Sequence, residues 1–105
     1  MGKLVGQSLN RNLNLYKIIA TNIKHLRIET EKTQSELSEL IDIGHDSWSV
    51  IESGESRIEF GVALAIANLF CLPSVECLSI KDFYKNVGDD WREKAIRNIE
   101  GRREC

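Results

Sequence analysis

The sequence has no apolar run approaching the roughly 18 to 20 residues that a membrane-spanning helix needs, which argues against a membrane protein. Its first six residues are too weakly apolar for a secretory signal, so a cytoplasmic location is expected. Cysteine is scarce: Cys71, Cys77 and Cys105 are odd in number and form no CxxC pair, which argues against a zinc site or a disulfide framework and predicts reduced thiols. Histidine is scarcer still, with only His25 and His45, so no metal site is expected, and Cys71 and Cys77 read as packing at a helix junction. No nucleophile–base pair, phosphate-binding loop or paired carboxylates can be picked out, so the chain does not read as an enzyme and no cofactor is implied. A surplus of positive charge is missing too, with 14 Lys and Arg against 16 Asp and Glu.

What the sequence does have is apolar material for one fold. Of 105 residues 42% are hydrophobic, enough to close a single modest core, so one domain is expected. The near-neutral total hides an uneven distribution. Residues 1–33 carry six basic and two acidic groups, residues 34–60 carry one and seven, and residues 61–105 carry seven of each. Basic charge is therefore concentrated toward the N-terminus, and the central segment is acidic.

Residues 1–13, rich in Gly, Asn, Ser and Arg with scattered leucines, read as an N-terminal arm. From there Leu15, Ile19, Ile23 and Leu26 recur at helical spacing, Ile18 broadens the stripe and Asn14 stands where an N-cap would, predicting a first helix of about four turns. Thr33-Gln34-Ser35-Glu36 has the form of a capping box and opens a second helix with Leu37, Leu40 and Ile41 on its apolar face. Asp42, a residue type that tolerates positive φ, begins a turn through Ile43 and Gly44. A short third helix over residues 45–52 follows, with Trp48 and Ile51 three apart on one face, and Gly54 suits its left-handed end. Val62, Leu64, Ala65, Ile66, Leu69 and Phe70 make a strongly apolar fourth helix that ends near Cys71-Leu72-Pro73. Ser74 caps a short fifth helix through Leu78. Asp89 and Asp90 precede a last helix with Trp91, Ala95, Ile96 and Ile99 on one face and Arg102 and Arg103 at its end.

Within this order Gln34, Leu37, Ile41, Ile43, Trp48, Ile51, Glu52 and Gly54 fall at the fixed positions of Q-x-x-L-A-x-x-h-G-h-s-x-x-x-h-s-x-h-E-x-G, where h is apolar. The segment thereby resembles the Xre family of lambda-repressor-like and Cro-like proteins, and the likeness extends weakly over residues 17–78. It implies an all-α, five-helix lambda-repressor-like helix-turn-helix domain whose first motif helix crosses the DNA backbone while the second enters the major groove. The resemblance makes Gln34 a phosphate anchor and His45, Asp46, Ser49 and Val50 base readers. Asp46 would accept from a cytosine amino group, His45 would bond guanine and Val50 would touch a thymine methyl. Ser47, Ser53 and Arg57 would add contacts to the DNA backbone. Trp48 falls at a core position and Glu52 at that of a structural carboxylate tying helices together. Ser38, Asp42 and Cys71 depart from the pattern's alanine, turn glycine and helix-ending glycine, and Gly44 brings no side-chain cap. Arg57 is the one cation near the helix pair, whereas phosphate neutralisation supplies most non-specific affinity, so Lys17, Lys24, Arg27 and Lys32, or Lys3 and Arg11, are expected to supply the positive field.

The expected organisation is an arm at residues 1–13, a helix-turn-helix DNA-binding domain at 14–79 and a C-terminal extension at 80–105. That extension carries Phe83, Tyr84, Val87, Trp91, Ala95, Ile96 and Ile99, more apolar surface than a five-helix core needs. It therefore reads as an extra helix that pairs two chains into a homodimer, with folding back on the first helix as the other use of the stripe. The functional expectation is a sequence-specific, repressor-like transcriptional regulator of double-stranded DNA. The alternative is a protein-interaction module, such as an antitoxin or adaptor, that keeps the fold with weak or no DNA binding. No residues point to a small-molecule effector.

Overall fold

A computed structural model describes the backbone of residues 2–101 and the side chains of residues 14–101. The protein is all-α, with helices α1 (Gly2–Glu29), α2 (Gln34–Leu40), α3 (His45–Ser53), α4 (Phe60–Leu69) and α5 (Gly88–Ile99), and no strand among the described residues. Between α4 and α5 the chain makes two 3₁₀ turns, Val75–Ser79 and Phe83–Asn86. The first of these is the expected fifth helix, capped as anticipated by Ser74, whose hydroxyl accepts from the Glu76 N–H. It is 3₁₀ rather than α, a common form for a segment this short.

The start of α1 differs from expectation. Its 28 residues run through the segment read as an arm, so Asn14 lies inside the helix and does not cap it. Nothing in residues 2–13 breaks a helix as proline would, and the glycines and asparagines there only lower propensity. The side chains of Lys3, Leu4, Leu9, Arg11 and Leu13, like residues 102–105 with Arg102 and Arg103, lie outside the described residues.

Three helices end on left-handed residues other than glycine. After α2 the Asp42 N–H donates to the Glu39 carbonyl at 3.2 Å and the Ile43 N–H to the Ser38 carbonyl at 3.0 Å, with Asp42 at φ 57°. This is a Schellman motif, and it satisfies two carbonyls that the helix leaves open. Glu31 (φ 59°) after α1 and Cys71 (φ 55°) after α4 repeat it, so an acidic side chain or a cysteine stands where glycine is free of strain. Cys71 is also disulfide-bonded while Cys77 is a buried free thiol, which corrects the expectation of three reduced thiols.

The core gathers Ile23 and Leu26 from α1, Leu37 from α2, Trp48 from α3, Ile66 and Ala67 from α4, and Phe70 just past the end of α4. Of the side chains expected inside, Leu26, Leu37, Trp48 and Ile66 are fully buried, and Ile41, Ile51 and Leu69 pack half-buried at its edge. Each large apolar side chain so buried contributes about 1.5 to 3 kcal/mol.

The C-terminal segment completes this core. Ala95 and Ile99 are buried, and Phe83, Tyr84, Val87 and Trp91 pack against the cluster. The Trp91 indole donates to the Phe70 carbonyl at 2.6 Å, and the Asn98 amide donates to the carbonyls of Asn68 and Leu69 at 3.2 and 3.0 Å. These carbonyls close α4, so α5 supplies partners that the end of a helix otherwise lacks. The apolar face assigned to a second chain is thus largely covered within this one. Across the core, buried Asn22 donates to the Leu78 and Ile80 carbonyls, both at 2.8 Å, and accepts from the Tyr84 N–H at 3.3 Å. His25 stacks on the Tyr84 ring with centroids 4.2 Å apart.

Candidate nucleic-acid interface

The pair α2 and α3 begins with a reciprocal cap. The Thr33 hydroxyl accepts from the Glu36 N–H at 3.0 Å and the Glu36 carboxylate accepts from the Thr33 N–H at 3.1 Å. The backbone bond from Thr33 is the main reason that the Glu36 carboxyl is held below its ordinary pKa. Helix α3 opens on Gly44, whose φ and ψ suit a cap but which has no side chain to supply one.

The two helices are locked by Glu52, which takes donors from three helices. Arg27 of α1 binds it through two nitrogens at 2.7 and 3.0 Å, Gln34 of α2 through its amide at 2.9 Å, and Trp48 of α3 through its indole at 2.6 Å. The Glu52 side chain is 4% exposed. Burial pushes its carboxyl up, but the bonds from Arg27, Gln34 and Trp48 outweigh burial and hold it below the ordinary value. The reading of Glu52 as a carboxylate that ties helices together agrees with this geometry. None of the three donors was foreseen: no local spacing links residue 27 or residue 34 to residue 52, Gln34 read as a phosphate anchor, and an indole at a core position reads as apolar.

Turning Trp48, Ile51 and Glu52 inward leaves His45, Asp46, Ser49 and Val50 on the outward face of α3, all exposed. His45 and Asp46 approach within 3.9 Å of each other. Ser47 lies on the flank, where with Ile43, Asp46, Val50, Ile58 and Arg57 it lines a groove of about 430 Å³. Arg57, in the loop between α3 and α4, is therefore brought beside α3. Ser53 is exposed, but its hydroxyl donates to the Val50 carbonyl one turn back. Gln34 is half-buried with one amide N–H committed to Glu52, and the amide carries a second N–H beyond that bond.

The positive field is narrower than the sequence suggested. Arg27 is consumed by Glu52, and Lys32 pairs with Glu100 at 3.6 Å. Lys17 and Lys24 stay exposed on α1, and the Lys17 backbone abuts Gly54 at the end of α3. Comparison of the chain with family models, with curated proteins and with solved structures finds no match.

Proposed function

We propose that the protein is a sequence-specific, double-stranded DNA-binding transcriptional regulator of the Xre, repressor-like type, acting as a homodimer in the cytoplasm. The reading rests on the outward face of α3, where His45, Asp46, Ser49 and Val50 stand exposed on a short helix that Glu52 fixes against α1 and α2. A reading helix must hold its register while leaving its polar face unspent, and this one does both. Gln34, Ser47, Ser53 and Arg57 surround that face and serve the phosphates.

The test is selection of a site from a randomised duplex pool, followed by a binding series over salt. A regulator selects a consensus and loses affinity steeply as salt rises. Arg57→Ala should weaken binding to all sequences alike and lower the salt slope by about one, whereas changing His45 or Asp46 should shift the preferred base at a cost of about 1 to 3 kcal/mol. The competing reading, a protein-interaction module such as an antitoxin or adaptor, is favoured by the commitment of Arg27 and Lys32 to internal carboxylates. Absence of duplex binding at every salt concentration supports that reading and overturns the first.

A further inference from the structure

The Glu52 carboxylate accepts two hydrogen bonds on each oxygen. Oε2 takes the Arg27 Nε–H at 2.7 Å and the Trp48 indole N–H at 2.6 Å, and Oε1 takes an Arg27 Nη2–H at 3.0 Å and the Gln34 amide at 2.9 Å. The guanidinium and the indole are rigid, planar and donors only, so they hold the carboxylate without help from Gln34. The Gln34 amide differs from them. It has two ends of opposite character, an NH2 that donates and an oxygen that accepts, and either can be turned toward a neighbour. Glu52 removes that choice. Burial pushes its carboxyl up, but the bonds from Arg27, Gln34 and Trp48 outweigh burial, so near neutrality it is ionised and can only accept. The NH2 end of Gln34 therefore faces Glu52 and the oxygen is turned away. The amide makes no other bond among the described residues, and its second N–H diverges from the first in the amide plane.

We propose that Glu52 is a positioning residue for recognition of the DNA backbone: it fixes the Gln34 amide at the start of α2 with one N–H spent and the other ordered to donate to a phosphate oxygen. The role rests on the regulator reading and deepens it. Two physical effects favour it. A glutamine side chain loses much rotamer freedom when it is fixed, and a solvated one loses it on meeting DNA. Gln34 has already lost that freedom in the free protein, so more of the phosphate bond is realised as affinity. The second effect is charge. A bare carboxylate close to a phosphate contact repels the phosphate, but Arg27 binds both Glu52 oxygens, so the pair brings no net charge to the anchor. Contacts to phosphate carry no sequence information, and the contribution of Glu52 through Gln34 is therefore the same on every duplex.

The test has one readout without DNA and one with it. In nuclear magnetic resonance spectra of the free full chain, the two side-chain amide protons of Gln34 should be widely separated in shift, and Glu52→Gln should draw them toward the values of a solvated glutamine. A solvated pair in the wild type overturns the proposal. With DNA, a double-mutant cycle on the selected duplex and on an unrelated one uses Gln34→Ala, Glu52→Gln and both together. Each single change should weaken binding several-fold and alike on the two duplexes, and Glu52→Gln should cost nothing further once Gln34 is alanine. Equal losses from Glu52→Gln in both backgrounds overturn positioning, because Glu52 then acts through the placement of α3 alone. Gln34→Met keeps the Arg27 and Trp48 bonds to Glu52 and so decides the matter if Glu52→Gln does not fold. Undiminished duplex binding by that variant overturns the proposal, and a several-fold loss together with the separated wild-type amide shifts supports it. Duplex binding by the wild type without coupling removes positioning and leaves the regulator reading standing, whereas no wild-type binding at any salt concentration removes both.

Discussion

Trp48 donates its indole N–H to Glu52 at 2.6 Å from one turn earlier on α3, although its ring is fully buried in the core. One side chain thus fills the centre of the domain and holds the carboxylate that fixes the helix pair. The two roles separate by substitution. Trp48→Phe keeps most of the apolar volume and loses the donor, which should cost about 1.5 to 3 kcal/mol, the usual range for a bond to a charged group. Trp48→Ala loses both and should cost about 3 to 5 kcal/mol. Urea unfolding of the two variants distinguishes them, and a phenylalanine variant as stable as the wild type would mean that the indole bond contributes nothing.

The Glu52 cluster also sets a direction for acid sensitivity. Its folded pKa lies below the ordinary value, so as pH falls the unfolded chain takes up a proton first. The resulting stability is complete above the unfolded pKa of about 4.3 and is lost as pH falls through the folded one. Glu36, also lowered by its cap, acts in the same window and with the same sign. Glu52→Gln should therefore cost about 3 kcal/mol near neutrality, because Arg27 is left without its charge partner. It should also flatten the decline of stability with acid, measured by denaturant unfolding at several pH values below 5. An unchanged acid profile would place the sensitivity elsewhere.

Local chemistry was legible from the sequence and distant chemistry was not. Thr33 and Glu36 lie three residues apart and their reciprocal cap follows from that spacing, as do the turns at Asp42 and Gly54. Helical periodicity likewise placed Leu26, Leu37, Trp48 and Ile66 inside. Periodicity fixes which face of a helix is apolar but not what covers it, and for that reason α5 read as a surface for another chain while Trp91 and Ile99 belong to this one. Asn22 gave no signal, since a polar residue inside an apolar stripe acquires meaning only when the chain brings Leu78, Ile80 and Tyr84 to it. The outward face of α3 was readable by subtraction, but the loss of Arg27 and Lys32 to Glu52 and Glu100 required the tertiary structure.

Glu31 closes α1 at φ 59°, in a conformation that costs a non-glycine residue about 1 to 2 kcal/mol. Glycine removes that strain but loses more backbone entropy on folding, by about 0.5 to 1 kcal/mol. Strain is the larger quantity, so Glu31→Gly should raise stability by up to about 1 kcal/mol, visible as a higher urea midpoint with an unchanged slope. Asp42→Gly should gain less, because aspartate tolerates the left-handed region better than glutamate does. A destabilised Glu31→Gly protein would show that the exposed side chain makes a contribution beyond its backbone.

Buried Asn22 joins α1 to the segment that leads into α5, giving two amide hydrogens to carbonyls and taking one N–H. Aspartate has nearly the same shape and the opposite capacity, for its carboxylate would still accept from Tyr84 while facing the Leu78 and Ile80 carbonyls without a hydrogen to offer. Burial and the two carbonyl dipoles would both favour the protonated acid, so the folded pKa of Asn22→Asp should lie above its unfolded value of about 3.9. The unfolded chain then releases its proton first as pH rises, and stability is lost through the interval up to the folded pKa. The variant should thus become less stable from about pH 4 upward, with a slope opposite in sign to that contributed by Glu52 in the wild type. Asn22→Leu, which leaves the same carbonyls unsatisfied but cannot titrate, should be destabilised without that pH dependence. Unfolding curves for both variants between pH 4 and 8 provide the comparison, and parallel profiles would show that Asn22 does not bind these carbonyls in solution.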